Sequence, residues 1–282
     1  MSRRRKLKRR VHQLQEIRNI MDAMKNLAVL ETHKLSIFLE NQEALIRDLE
    51  RVADDFFGFY PYPVSRGADE TDCWILFGSE RGFNGDFNET LLEQLDRHIA
   101  SSADRPYLLV PVGNKLFTKL RDDPHVTQFI EGADVAEEIN TILNTLVLHI
   151  NSLQSEHGVL NVFVLFHDAQ TEEVTSRQLM PPFRENTGKA PAYAYPPLLN
   201  IPPEEFFSEL FDRYLFVALQ EISYTSLMAE NHKRIQHMTG AVQKLDEKTE
   251  ELLRKYHIRR QEEITEEIEV ILLNATVEPA GG

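Results

Sequence analysis

RRRKLKRRVHQLQEIRNIMDAMKNLAVLETHKLSIFLENQEALIRDLERVADDFF, from Arg3 to Phe57, runs without a proline or a glycine. Its apolar residues recur at Leu7, Val11, Leu14, Ile17, Met21, Met24 and Ala28, then at Leu35, Phe38, Leu45, Leu49, Val52 and Phe56. Steps that alternate between three and four form the seam of a long coiled-coil helix. At 1.5 Å per residue such a helix extends on the order of 80 Å. Gly58 and the Tyr60-Pro61-Tyr62-Pro63 cluster end it.

The far end of the chain repeats the device. After Pro202-Pro203, the stretch from Glu204 to Thr276 holds no proline and a single glycine, Gly240. Ile235, Met238, Val242, Leu245, Thr249, Leu252 and Tyr256 keep the same spacing, and the strict repeat slips beyond them at Ile264, Ile268 and Ile271. A helix of roughly 100 Å cannot lay its whole face on a compact globule. The N-terminal helix is the expected partner, because its charge is complementary. Residues 1–51 carry 12 basic against 7 acidic residues, which leaves 19 basic against 38 acidic for the rest of a chain with 31 and 45 in all.

Between the helices, strand-like and helix-like segments alternate. Trp74 to Phe77, Tyr107 to Val112 and Val159 to Phe166 read as strands, with Thr175 to Pro181 as an edge strand returning antiparallel. Amphipathic helices are expected over Phe87 to Ala100, Asn114 to Leu120 and Ala133 to Leu153. The alternation argues a small, mostly parallel sheet. The expected fold is therefore an α/β insert plus a long antiparallel coiled coil formed by the N- and C-terminal helices. Its segments are residues 1–58, 70–195 (a Rossmann-like domain) and 204–276.

Composition removes several classes of function. No apolar run approaches the ~18 residues that cross a bilayer, and the basic N-terminus has no apolar stretch behind it to make a secretory signal. A single cysteine, Cys73, excludes an internal disulfide and fits a reducing compartment. The net charge of −14 opposes nucleic-acid binding, and no aromatic platform interleaves the basic start. The ten histidines form no ligand cluster in sequence, and the paired carboxylates Glu262-Glu263 and Glu266-Glu267 read as a solvated helix face. The turn Gly78 to Gly85 follows a strand and opens a helix, a geometry that can hold phosphate. It lacks both the phosphate-loop and the dinucleotide glycine patterns, so a purely structural turn at Arg81, Gly82, Asn84 and Gly85 is the other reading.

Three colinear motifs carry a resemblance. Tyr256-His257-Ile258-Arg259-Arg260-Gln261-Glu262-Glu263-Ile264-Thr265-Glu266-Glu267-Ile268 resembles the C-terminal signature of the γ subunit of F-type ATP synthases. Glu230, Arg234 and Met238 keep that family's Glu…Arg…Met spacing, and Arg213-Tyr214 sits where it has an Arg-Tyr pair. Arg10-Val11, Leu14, Ile20, Ala23-Met24 and Leu27-Ala28 resemble its opening helix, and Arg81 to Asn88 its Arg-Gly-Leu-Cys-Gly-Gly-x-Asn turn. Departures are Asn84 and Asp86 in that turn, Val270 and Asn274 near the end, and Leu199-Asn200-Ile201 where Tyr-Glu-Pro is familiar. They point to a divergent or alternate F-type branch. With Cys73 alone, the paired-cysteine switch of chloroplast γ subunits is absent.

The resemblance implies a central rotor shaft without catalytic residues, cofactor or metal of its own. Its partners would be three α and three β subunits, the ε subunit and the c ring. It would lie peripherally on the cytoplasmic face of the inner or plasma membrane and meet the membrane only through partners. It further implies that Arg260, Gln261, Thr265 and Glu267 meet loops of β, as do Met24 and Lys25. A non-rotary coiled-coil scaffold of γ-like ancestry is the alternative.

Overall fold

The computed structural model describes residues 3–60, 71–101, 105–182 and 193–276. The Pro61-Tyr62-Pro63 part of the expected helix stop lies outside them, as do positions 1–2, 70, 102–104 and 183–192 of the expected segments. The elements are α1 (Arg3–Phe57), β1 (Thr71–Phe77), α2 (Phe87–Ser101), β2 (Tyr107–Val112), α3 (Asn114–Leu120), α4 (Ile139–His157), β3 (Leu160–His167), β4 (Val174–Met180) and α5 (Pro203–Thr276). The strands form one sheet in the order β2-β1-β3-β4. The first three are parallel, with Ile75 opposite Val110 and Val164, and β4 runs antiparallel to β3. The expected fold class holds: an α/β insert between long antiparallel terminal helices.

Two compact units divide the chain, and the division cuts both long helices: Ala28–Ile235, and Met1–Leu27 with Gln236–Gly282. In the first, the sheet unit, β1 alternates its side chains between two buried faces. Cys73, Ile75 and Phe77 pack with Leu143, Leu146 and Ile150 of α4, with Leu35 of α1, and with Leu215, Leu219 and Ile222 of α5. Trp74 and Leu76 pack with Leu91 and Leu95 of α2 and Leu116 of α3. The sheet therefore shares its core with the helices that flank it in sequence. Within the same unit α1 and α5 pair antiparallel: Phe38 stacks on Tyr224 with ring centroids 5.3 Å apart, and Phe56 meets Phe206 at 5.0 Å.

Two expectations shift in detail. Past Leu35 the buried line of α1 passes through Ile46 and Ala53, while Leu45 and Val52 are exposed. A straight helix drifts about 20° per heptad against a 3.5-residue repeat, and over several heptads this advances the buried line by one residue. The helix expected from Ala133 begins at Ile139, after a 3-10 turn at Ala136–Glu138. That turn is held from outside: the Ala136 amide donates to Glu31 at 2.7 Å, and Lys34 reaches Glu137 at 2.8 Å.

In the second, two-helix unit, α1 and α5 are again antiparallel, with Arg18 on Asp246 at 3.2 Å and Arg4 on Glu263 at 3.1 Å. Val11, Met238, Val242 and Leu252 are its buried apolar residues among those described. Arg4 stands level with Glu263, and among the described residues none of α1 lies beside α5 beyond that pair, up to Thr276. Ile264, Ile268 and Ile271, where the repeat slips, are all exposed. No described helix is long and apolar enough to cross a membrane.

Candidate functional site

The turn after β1 is built on close approach. A Cβ added to Gly78 would stand 2.4 Å from the Leu116 Cβ, so only glycine brings the chain past α3 here. Next, the Ser79 amide donates to Asn88 Oδ1 at 3.0 Å, and Asn88 Nδ2 donates to Ser79 Oγ at 2.8 Å, both buried. Glu80 Oε2 accepts the amides of Asn114 and Gly132 at 2.9 and 2.8 Å. Arg81 reaches out to Asp134. Phe83 and Gly85 both take left-handed backbone angles, φ 67° and 64°. Glycine bears this without strain, whereas Phe83 does not, and its ring is exposed. Asn84 is buried.

The turn closes onto α5. The Glu230 carboxylate accepts hydrogen bonds from the backbone amides of Glu80 and Arg81 and from the Arg234 guanidinium one helical turn away. Arg234 also donates to Asn231 Oδ1 at 2.7 Å, and Lys233 stands 3.7 Å from Asp86. Burial pushes the Glu230 carboxyl up to about 7, against the donors that pull it down. Where the turn begins α2, His167 Nε2 donates to the Phe87 carbonyl at 2.7 Å, and the two rings stack. Burial holds the His167 imidazole below its usual range.

This arrangement bears on the phosphate reading. The two amides that point out of the turn already hold an anion, and that anion is the chain's own Glu230. Of the sequence-predicted turn residues, Arg81, Asn84 and Gly85 take up this geometry, and Gly82 sits half-buried between them. Sequence reasoning missed the partnership with Glu230. The Glu230–Arg234 spacing was visible, but which backbone it faces was not. Burial pushes the Cys73 thiol up to about 12, which leaves it inert. Among the described residues no group of three His, Cys, Asp or Glu side chains is placed to hold a metal ion.

The other predicted residues belong to the two-helix unit. Arg260, Gln261, Thr265 and Glu267 are all exposed on α5. Thr265 Oγ1 donates to the Gln261 carbonyl at 2.9 Å, which places those two on one face. Arg260 and Glu267 flank Glu263, the partner of Arg4, on the neighbouring stripe. Met24 and Lys25 are half-buried on α1, and Lys25 donates to Asp22 at 2.7 Å. By the helix register they lie roughly 30 Å along the axis from Arg260, at 1.5 Å per residue. The structure thus makes two separate clusters of them.

Comparison with known families bears on the whole chain. The profile of the ATP synthase family matches residues 3–276. The chain belongs to the ATP synthase γ family. Among γ-family relatives, an ATP synthase gamma chain of Clostridium botulinum (strain Langeland) is 22% identical over 276 residues, covering 94% of this chain and 95% of its own. One from Fusobacterium nucleatum is 21% identical over 280 residues, covering 96% and 97%. Solved structures share the fold. A rotor chain of the Euglena gracilis mitochondrial ATP synthase superposes with a TM-score of 0.62 at 14% identity, over 93% of this chain and 98% of that one. A central-stalk chain of the Tetrahymena thermophila mitochondrial ATP synthase gives 0.57 at 16% identity, over 79% and 99%. This γ-family chain is thus a subunit type of an ATPase complex.

Proposed function

We propose that this chain is the central rotor shaft of a rotary F-type ATP synthase, coupling rotation of an ion-driven c ring to ATP synthesis or hydrolysis at the β subunits. The observation that carries this reading is a family match along both long helices, joined to an α5 end whose apolar residues Ile264, Ile268 and Ile271 stand exposed. The two-helix unit enters a ring of three α and three β subunits. The α/β insert, residues 70–195, sits between that ring and the c ring, beside the ε subunit, with segments 1–58 and 204–276 as the shaft. The chain is non-catalytic and lies peripherally on the cytoplasmic face of the membrane, held there by its partners.

Mechanism follows from asymmetry. A rotor presents different side chains to three β subunits at once, so each is biased toward a different conformation by the difference in its contact energy. Arg260 and Gln261 suit such passing contacts. A guanidinium and an amide make directed hydrogen bonds to carboxylates, and being exposed they release them without leaving a buried charge behind. Thr265 and Glu267 extend the same surface, and Met24 with Lys25 forms a second contact at another level.

The test is co-expression with α and β subunits from the same source, with a tag on this chain alone. The expected result is a complex of three α, three β and one copy of this chain, whose ATPase activity depends on it. A stable oligomer of this chain by itself, with no α or β subunit retained, would replace the rotor with the scaffold reading.

A further inference from the structure

Ligands of open α/β sheets ordinarily sit at the carboxyl ends of the strands, and there the chain's own Glu230 already holds the turn amides. At the opposite end, where β1 and β2 begin, a cavity of about 410 Å³ opens between Asp72, Trp74, Ile99, Arg105, Tyr107 and His125. That volume is of the size that takes a small ligand. Asp72 and Tyr107 are register partners across the two strands, and the Asp72 amide donates to the Pro106 carbonyl at 3.1 Å. Asp72 is 3% exposed, and Asn161 Nδ2 donates to its Oδ1 at 3.0 Å. The Asn161 Oδ1 is itself buried without a partner, so acceptors outnumber donors at this floor. Tyr107 and His125 stack with ring centroids 4.0 Å apart, and His125 Nδ1 lies 2.9 Å from Asp123. Arg105 is exposed and, among the described residues, forms no ion pair.

We propose that this cavity binds a purine nucleotide, with the base against the Tyr107–His125 stack, an N–H edge of the base on Asp72 and the phosphate on Arg105. Each wall asks for a different part of that ligand. An ionised carboxylate only accepts hydrogen bonds, so Asp72 needs donors from whatever enters. A guanidinium only donates, and its fork matches a phosphate. The ring pair, with Trp74 and Ile99, offers apolar surface to a flat heterocycle. A cation and a carboxylate that line one cavity without pairing also select against simpler occupants. An organic amine would meet Arg105 as a like charge, and inorganic phosphate would meet Asp72 in the same way. A nucleotide satisfies both, because its donors and its negative charge lie at opposite ends. The site does not depend on the rotor reading.

The chain's single tryptophan, Trp74, lines the cavity and reports on it. Titrating GMP and AMP into the full-length chain is expected to give a saturable change in Trp74 fluorescence with at least one of them, and ribose 5-phosphate none. No partner subunit is present, so failure here is distinct from a failure to form the α–β complex. Arg105→Ala, at an exposed side chain, is expected to weaken nucleotide affinity about tenfold while leaving that of the phosphate-free nucleoside unchanged. Asp72→Asn should weaken nucleotide and nucleoside alike, with circular dichroism matching the wild type. No saturable change with either nucleotide, ribose 5-phosphate binding as tightly as they do, or unaltered nucleotide affinity in Arg105→Ala would overturn the proposal. Should Asp72→Asn fail to fold, Arg105→Ala and the ribose 5-phosphate control decide alone.

Discussion

In the sheet unit a core of large side chains is fully buried, Phe87, Phe166, Ile75 and Leu143 among them, although Leu45, Val52 and Phe83 stand exposed. In the two-helix unit four apolar side chains are buried among the described residues, while Ile17, Ile20, Leu27, Ile258, Ile264 and Ile268 stand exposed. The charges follow suit. Buried Glu230 is enclosed by donors from two elements, whereas exposed Glu251 is bracketed by Lys248 and Lys255 of its own helix. One unit has a sealed core, and the other buries few of its apolar side chains within the chain. The difference teaches that fold stability is concentrated in the sheet core rather than along the two-helix seam.

The sharpest way to break this contrast is to excavate the sheet core. Leu143→Ala is expected to cost about 2–5 kcal/mol in denaturant unfolding, because a fully buried side chain leaves a cavity that its neighbours only partly fill. A loss below 1 kcal/mol would mean the sheet unit is far looser than its burial implies. Val242→Ala in the two-helix seam should cost less, about 1–2 kcal/mol, since fewer methyl groups leave a shallower site. Equal losses at the two positions would erase the distinction.

Arg260→Ala combined with Gln261→Ala should change stability by less than ~0.5 kcal/mol, as surface substitutions generally do. The same double variant should lower coupled ATP synthesis in the assembled complex, and unchanged synthesis would remove these residues from the proposed contact. The smallest effect concerns pH. The flanking lysines hold the Glu251 carboxyl at about 2, so its stabilisation is present above the ordinary value near 4.5 and is lost as pH falls toward 2. Full exposure makes this contribution slight. Thermal melts of Glu251→Gln and wild type should therefore nearly coincide at pH 7 and differ, if at all, in acid. Glu230 carries the opposite sign, since its raised pKa favours the folded state below 4.5 and loses that advantage as pH rises through about 7.

Much of this was legible in sequence because it is periodic. The seam of Met238, Val242 and Leu252, the alternation through Cys73 and Ile75, and the order of strands and helices all follow from spacings of 3.6 and 2 residues. What was not legible depends on contacts distant in sequence. The start of α4 at Ile139 is set by Glu31 and Lys34, some hundred residues earlier. The shift from Leu45 to Ile46 comes from drift accumulated along a helix rather than from any local residue. Glu230 sat in plain view within a family spacing, yet nothing in its neighbours told that it caps a turn near residue 80. The outward set of Arg260 and Gln261 was likewise open to expectation, because a charged helix face reads the same with or without a partner.

The uncovered end of α5 also has a cellular consequence. Ile264, Ile268, Val270 and Ile271 are exposed near the end of a long helix. A copy made in excess of its partners carries an apolar stretch of the kind that chaperones bind and proteases clear. Assembly would hide that stretch.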